Sequence, residues 1–318
     1  MKALVTGGSG FIGSHIASLL LSHNHEVTVL DSSESSLPER ARGATLIRAS
    51  ITDAKKVEEA CKGCDWVFHE AAIVSVPESF KDPEKTNEVN VGGTLNVLEA
   101  CRKNDVERAV IASSAAIYGD APGLPKKETD APSPQSPYGE SKLQNEKDAR
   151  RYFEEHSLKT ASLRYFNVYG PGQKATSQYS GVISRFLHCA LHGERPTIYG
   201  DGSQTRDFVF AKDVAEANLQ CAESEKAPGE VFNIAGGSAI SLLELWGKIA
   251  SVSGCNLEPI FEEKREGDIL HSLASIEKAY TLLGYKPATS LKRGISETLD
   301  WMKAENGDGD SGAKPISF

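Results

Sequence analysis

Apolar and polar positions over the first half of the chain fall into two alternating textures. Short runs of strand length, Ala3 to Thr6, Glu26 to Leu30, Thr45 to Arg48, Trp66 to His69, Ala109 to Ala112 and Ala161 to Tyr165, show little polar alternation. Strands buried on both faces look like this. Segments with helical spacing of apolar residues separate them. A β-α-β-α order with right-handed crossovers predicts an α/β fold, a doubly wound parallel sheet of Rossmann-like form. From Tyr169-Gly170-Pro171-Gly172 the texture changes to a Gly/Ser/Gln-rich loop reaching Gly181, a helix to about His192, and short strands near Thr197 to Tyr199 and Asp207 to Phe210. A helix from Asp213 and a strand Val231 to Ile234 predict a return to the first sheet. Helices near Leu242 to Val252 and Ile276 to Leu283 then complete a smaller mixed α/β cap. The expected division is 1–167, rejoined by about 208–236, against 168–207 with 237–303. The stretch 304–318, poor in apolar residues, reads as a disordered tail.

Composition narrows the partners. Among 318 residues, 35 Lys and Arg stand against 44 Asp and Glu, a formal charge of −9. Duplex nucleic acid, which needs many cations facing phosphates, is therefore not expected as a partner. No run approaches the roughly 20 apolar residues of a membrane-spanning helix, and the first strand begins almost at Met1, so a cytoplasmic protein is expected. The six cysteines are scattered. Cys61 and Cys64 form C-x-x-C, but no second pair or nearby His pair completes a zinc site, and no metal is expected.

Thr6-Gly7-Gly8-Ser9-Gly10-Phe11-Ile12-Gly13 follows the first strand directly and opens a helix. Glycines at 7, 10 and 13 permit a tight turn and close approach of backbone N–H groups to a pyrophosphate, whose charge the helix N-terminus favours. Asp31 ends the second strand, where a carboxylate accepts hydrogen bonds from ribose hydroxyls and repels a 2′-phosphate. Ser32 and Ser33 add no cation, so NAD is expected over NADP.

Ser114, Tyr138 and Lys142 are the candidate catalytic residues. Tyr138 opens a helix after the Pro-rich loop 132–137, which places Lys142 one turn along on the same face. Ser113-Ser114 closes the fifth strand, and ligands of doubly wound sheets bind at the carboxyl ends of strands. A phenol of pKa near 10 is a poor base at neutral pH, but an adjacent ammonium and a cationic nicotinamide both favour the phenolate. Tyr138 could then take a hydroxyl proton while hydride leaves the same carbon, with Ser114 orienting the hydroxyl.

These motifs occur in order with His69-Glu70-Ala71-Ala72, Asn90-Val91-Gly92-Gly93-Thr94, Ser113 through Gly119 and Leu163-Arg164-Tyr165-Phe166-Asn167. To about Trp301, the chain resembles the extended short-chain dehydrogenase/reductases, in their nucleotide-sugar epimerase branch. The resemblance implies that Phe11, Ile12, Asp31, Ile51, Ala71 with Ala72, Asn90, Tyr138, Lys142 and Phe166 line NAD. Ser50 stands where the family often has an Asp against adenine. It further implies a UDP-sugar substrate and a homodimer through the helix after Asn87 and the one starting at Tyr138. Arg206 and Arg265 match positions that grip the pyrophosphate, Asp268 a ribose contact, Asn167 and Val182 further nucleotide contacts, and Thr197-Ile198-Tyr199 the uracil pocket.

Two positions narrow the reaction. Ala115-Ala116 replaces the acidic residues that dehydratases and decarboxylases of this superfamily carry after the catalytic Ser/Thr. Ser272 stands where some members carry a Tyr that closes the pocket beside sugar C2. The expected reaction is 4-epimerisation of UDP-glucose and UDP-galactose, extending to UDP-GlcNAc and UDP-GalNAc. UDP-glucuronate, UDP-xylose and net nucleotide-sugar oxidoreduction remain alternatives.

Overall fold

The computed structural model describes residues 1–175, 181–264 and 269–307. Its first part runs β1 (Lys2–Thr6), α1 (Phe11–Ser22), β2 (Glu26–Asp31), β3 (Thr45–Arg48), α2 (Ala54–Cys61), β4 (Trp66–His69), α3 (Val76–Lys81), α4 (Pro83–Asn87), α5 (Gly93–Lys103), β5 (Arg108–Ser114), α6 (Pro137–His156) and β6 (Lys159–Tyr165). There follow β7 (Asn167–Tyr169), α7 (Val182–His192), β8 (Thr197–Tyr199), β9 (Thr205–Phe210), α8 (Ala211–Glu223), β10 (Val231–Ile234), β11 (Ala239–Ser241), α9 (Leu242–Ser253), β12 (Ile260–Glu262), α10 (Glu277–Leu283) and α11 (Leu291–Gly307).

Seven strands form one sheet in the order β10-β6-β5-β4-β1-β2-β3, with every pair parallel. It is the doubly wound Rossmann-like sheet expected from the apolar runs. The chain leaves β1 toward β2 and β3 and later returns on the other side with β4, so a crevice opens at the carboxyl ends of β1 and β4. Both faces are covered. Val5, Phe68 and Leu163 pack with Ile16 of α1 and Val214 of α8, whereas Leu4, Val67 and Ile111 pack with Val57 of α2 and Val97 of α5. Each fully buried Leu, Val or Phe stabilises the fold by about 1.5–3 kcal/mol relative to exposure.

The remaining elements form a smaller layer. β7, β9 and β11 make a three-stranded sheet, and β8 pairs with β12. Phe186 of α7, Trp246 of α9 and Ile295 of α11 meet in a separate apolar cluster. Helix termini are set locally. Asp53 caps α2 by accepting from the Lys55 and Lys56 amides, and Ser241 with Glu244 forms a capping box on α9.

Two details differ from the sequence expectation. Helix α6 begins at Pro137 with Ser136 as its cap, so Tyr138 is its second residue. Residues 304–307 continue α11, held by the apolar face around Ile295 and Leu299. The rest of the expected tail lies outside the described residues. Among the described residues no helix is long and apolar enough to cross a membrane.

Candidate active site

The loop from β1 into α1 turns at Gly7, whose φ of +70° favours glycine. A Cβ there would stand 2.7 Å from the Ala71 nitrogen, and one on Gly13 2.4 Å from the Gly7 carbonyl oxygen. The two glycines thus let the loop press on β4 and on itself. Gly10 caps α1 without a side chain and the first turn carries no acidic residue, which leaves the amides open to an anion. Ser9 Oγ is buried beside them without a hydrogen-bond partner. At the end of β2, Asp31 accepts from the Ser9 amide (2.9 Å) and the Ser33 amide (2.8 Å).

These groups open onto a cavity of about 680 Å³ at the β1/β4 crevice. Gly7, Gly10, Phe11, Ile12, Gly13, Asp31, Ser50, Ile51, Ala71, Ala72 and Phe166 line one stretch of it or another, and Ser114, Tyr138 and Lys142 line it as well. A glycine cradle, a buried hydroxyl without a partner and a carboxylate at the end of the neighbouring strand fit a dinucleotide. Asn90 departs from the expectation. It is fully buried, its amide donating to the Ile73 carbonyl (3.0 Å) and to Ser141 Oγ (3.0 Å) while its oxygen accepts from the Ile73 amide (2.8 Å). Asn90 therefore ties the cavity wall after β4 to α6, with its own polar groups already engaged.

Ser114 ends β5 and accepts from the Ala116 amide at 3.1 Å, fixing the turn that follows. The Tyr138 amide donates to Ser79 Oγ (3.2 Å), so α3 buttresses the start of α6. Ser114 stands beside the Tyr138 phenol and pulls its pKa downward. Lys142 is 4% exposed and donates from Nζ to the Ala112 carbonyl at 2.8 Å. Its ammonium stands 6.0 Å from the Tyr138 ring centroid.

Charge in this corner is finely opposed. Burial lowers Lys142 to about 8, against the upward pull of Glu70 and Glu146. Burial also raises Tyr138 above its ordinary value; the neighbouring Ser114 hydroxyl works against this and the Glu70 charge with it. Burial is thus the largest influence on the phenol, set against the Lys142 ammonium nearby and, once NAD is bound, the cationic nicotinamide. Behind Lys142, Glu146 receives Arg164 through Nε (2.8 Å) and Nη2 (2.7 Å) and Ser113 Oγ (2.5 Å). Arg164 in turn donates to Tyr118 Oη at 2.7 Å. His69 bridges Thr6 and Thr94 (2.7 and 2.9 Å) and is held neutral by burial, with its pKa pushed down to about 3.

A second cavity, of about 450 Å³, adjoins the first beneath the cap. Ser114, Tyr138, Tyr165 and Phe166 line both. Asn167, Arg206 and Ser272 line the second, as do Ala115 and Ala116. Asn167 Nδ2 donates to the Asp207 carbonyl (3.0 Å) and Arg206 Nη1 to the Thr205 carbonyl (2.9 Å). Val182 and Thr197, Ile198 and Tyr199 line neither cavity. Ile198, 1% exposed, fills the cap core, because alternate residues of a short strand turn inward. Only its backbone is left for a ligand. Arg265 and Asp268 lie outside the described residues.

Glu70, Lys126, Tyr165 and His271 also line these cavities, and sequence reasoning gave them no role. Glu70 follows β4 directly, and its place at a carboxyl strand end was the signal available.

Comparison with known proteins agrees with this geometry. Residues 3–235 match the NAD dependent epimerase/dehydratase family. A putative UDP-glucose 4-epimerase of Methanocaldococcus jannaschii is 39% identical over 307 residues, covering 95% of this chain and 99% of that protein. A solved UDP-N-acetylglucosamine 4-epimerase from Methanobrevibacter ruminantium, in complex with UDP-N-acetylmuramic acid, is 36% identical with a TM-score of 0.91, covering 96% of this chain and 98% of that one. A UDP-glucose 4-epimerase of Thermus thermophilus, solved with NAD, is 37% identical with a TM-score of 0.86 and covers 95% and 99%. With its glycine cradle, its parallel sheet and these relatives, the chain belongs to the NAD-dependent epimerase/dehydratase family of extended short-chain dehydrogenase/reductases, and NAD is its cofactor.

Proposed function

We propose that the chain is a UDP-sugar 4-epimerase that interconverts UDP-glucose with UDP-galactose and UDP-GlcNAc with UDP-GalNAc. The observation that carries this reading is the meeting of two cavities, one suited to a dinucleotide and one beneath the cap, at Ser114 and Tyr138. When bound, NAD supplies a hydride acceptor that takes hydrogen from sugar C4 and returns it to the opposite face of the ring. Tyr138 takes the C4 hydroxyl proton and gives it back, while Ser114, lining the same two cavities, orients that hydroxyl. Lys142 keeps a positive charge beside the phenol and rests on the Ala112 carbonyl. Arg206, and by the family resemblance Arg265, anchor the pyrophosphate so that the keto sugar turns without leaving.

Ala115 and Ala116 line the sugar cavity without an acid or base, which favours epimerisation over dehydration or decarboxylation. Ser272 leaves room where a larger side chain would crowd an N-acetyl group. Of the relatives named above, one is a putative UDP-glucose 4-epimerase and another a UDP-N-acetylglucosamine 4-epimerase, in keeping with this breadth. Dimerisation through α5 and α6 belongs to the same proposal, with Val76 and Phe80 standing exposed on α3 beside α6.

The test is a panel of UDP-sugars incubated with the purified protein, products resolved chromatographically and absorbance followed at 340 nm. Interconversion of both pairs without stoichiometric NADH is expected. Net NADH accumulation would overturn epimerisation, and inactivity on N-acetylated sugars would remove the role given to Ser272. UDP-glucuronate belongs in the panel, because Lys126 and His271 line the sugar cavity and a sugar carboxylate would meet basic groups there, and UDP-xylose belongs beside it as the sugar that lacks that carboxylate.

A further inference from the structure

Glu70 is the acidic side chain nearest the candidate catalytic residues that the proposed reaction does not use. It follows the last residue of β4 and lines the dinucleotide cavity together with Tyr138 and Lys142. Its Oε1 accepts from Tyr165 Oη at 2.8 Å, and Asn218 Nδ2 donates to that same hydroxyl at 2.8 Å and is fixed to the α8 backbone. The carboxyl is thus held in place from β6 and α8. Among the described residues it forms no ion pair, although Lys142 acts on it across the cavity. Glu70 is half-buried at the cavity wall; a carboxylate partly withdrawn from water without a paired cation is unfavourable, and a positive charge arriving with a ligand relieves that cost. The nicotinamide ring is cationic when oxidised and neutral when reduced.

We propose that Glu70 sets the preference of the site between the two redox forms of its cofactor, its carboxylate favouring NAD⁺ over NADH. In a reaction that begins and ends with oxidised cofactor, this bias drives the hydride back to the sugar and guards against a stalled, reduced enzyme. The inference rests on Tyr138 and Lys142 marking the nicotinamide end of the cavity.

Burial raises Glu70 to about 7, opposed by the Tyr165 hydrogen bond and by Lys142. The bias is therefore present above that pH and lost as pH falls through it. The groups facing Glu70 are Tyr165 from β6, Asn218 from α8, and Tyr138 and Lys142 from α6, with the neutral His69 preceding it on β4. Of these, Lys142 also titrates near the working range, at about 8, so a variant must separate the two.

The experiment measures the dissociation constants of NADH, by its fluorescence, and of NAD⁺, by competition, at pH 6.0 and 8.5. At pH 8.5 the ratio Kd(NADH)/Kd(NAD⁺) should fall about tenfold or more in Glu70→Gln, since a unit charge at an effective permittivity near 20 acts on this scale over several ångströms. At pH 6.0 the parent protein should approach the variant. An unchanged ratio at pH 8.5 would overturn the proposal, as would a pH response in Glu70→Gln as large as the parent's, which would assign it to Lys142. If Glu70→Gln binds neither form, Tyr165→Phe serves: losing the hydrogen bond raises the carboxyl, so the pH at which the ratio changes moves upward, and an unmoved midpoint overturns the proposal. Because the readout is binding, a failed sugar panel leaves this test intact.

Discussion

The sharpest test of the proposed chemistry is the removal of one charge. Lys142→Met keeps most of the aliphatic stem, deletes the ammonium and frees the Ala112 carbonyl. The ammonium lies 6.0 Å from the Tyr138 ring centroid. With an effective permittivity near 20, that interaction is worth about 3 kcal/mol, or about two pH units of phenol acidity. Little solvent screens it, because Lys142 is 4% exposed. If the phenolate takes the sugar proton, turnover at pH 7 should fall about a hundredfold. The loss should be repaired about tenfold for each unit of rising pH. The parent enzyme should behave oppositely at high pH: Lys142 is lowered to about 8, so its charge is complete below that value and fades above it. A bell is expected for the parent and a rising limb for the variant. The assay is kcat for UDP-sugar epimerisation between pH 6 and 9.5, with Tyr138→Phe as the control that lacks the titrating group. A Lys142→Met defect of the same size at every pH would refute the acid–base argument and leave the lysine a purely positional role.

Three further outcomes follow from the same geometry. Gly13→Ala puts a Cβ 2.4 Å from the Gly7 carbonyl oxygen; overpacking should cost about 1–3 kcal/mol in thermal or urea unfolding and weaken NAD binding, and a neutral result would mean the loop is not the tight cradle described. Asp31→Asn should weaken NAD about tenfold to a hundredfold, the scale of a charged hydrogen bond, and narrow the preference over NADP in cofactor titrations. Glu146→Gln leaves the buried Arg164 guanidinium without its bidentate partner and should cost about 3–5 kcal/mol in urea unfolding. The double change Glu146→Leu with Arg164→Leu should cost less than the single one, and the reverse order would contradict the buried-pair reading.

What could be read from the sequence divides along a physical line. The sheet was legible because strands covered on both faces must be continuously apolar, and Leu4, Val67 and Ile111 are fully buried as that pattern requires. Ser114, Tyr138 and Lys142 were legible as neighbours because each sits at the end of a strand or in the first turns of a helix, where topology alone sends side chains to one crevice. Side-chain direction within an element was not. Asn90 and Ile198 occupy positions that the family resemblance gives to ligands, yet one spends its amide on Ile73 and Ser141 and the other fills the cap core. The acidity of Tyr138 was only half legible for a related reason. Sequence proximity counts the lysine one turn away, but not the burial that raises the phenol, nor Ser114 and Glu70, which reach the site from two other strands. The motif His69-Glu70-Ala71-Ala72 marked the crevice in the sequence, while what its carboxylate touches, Tyr165 from β6, came only with the fold.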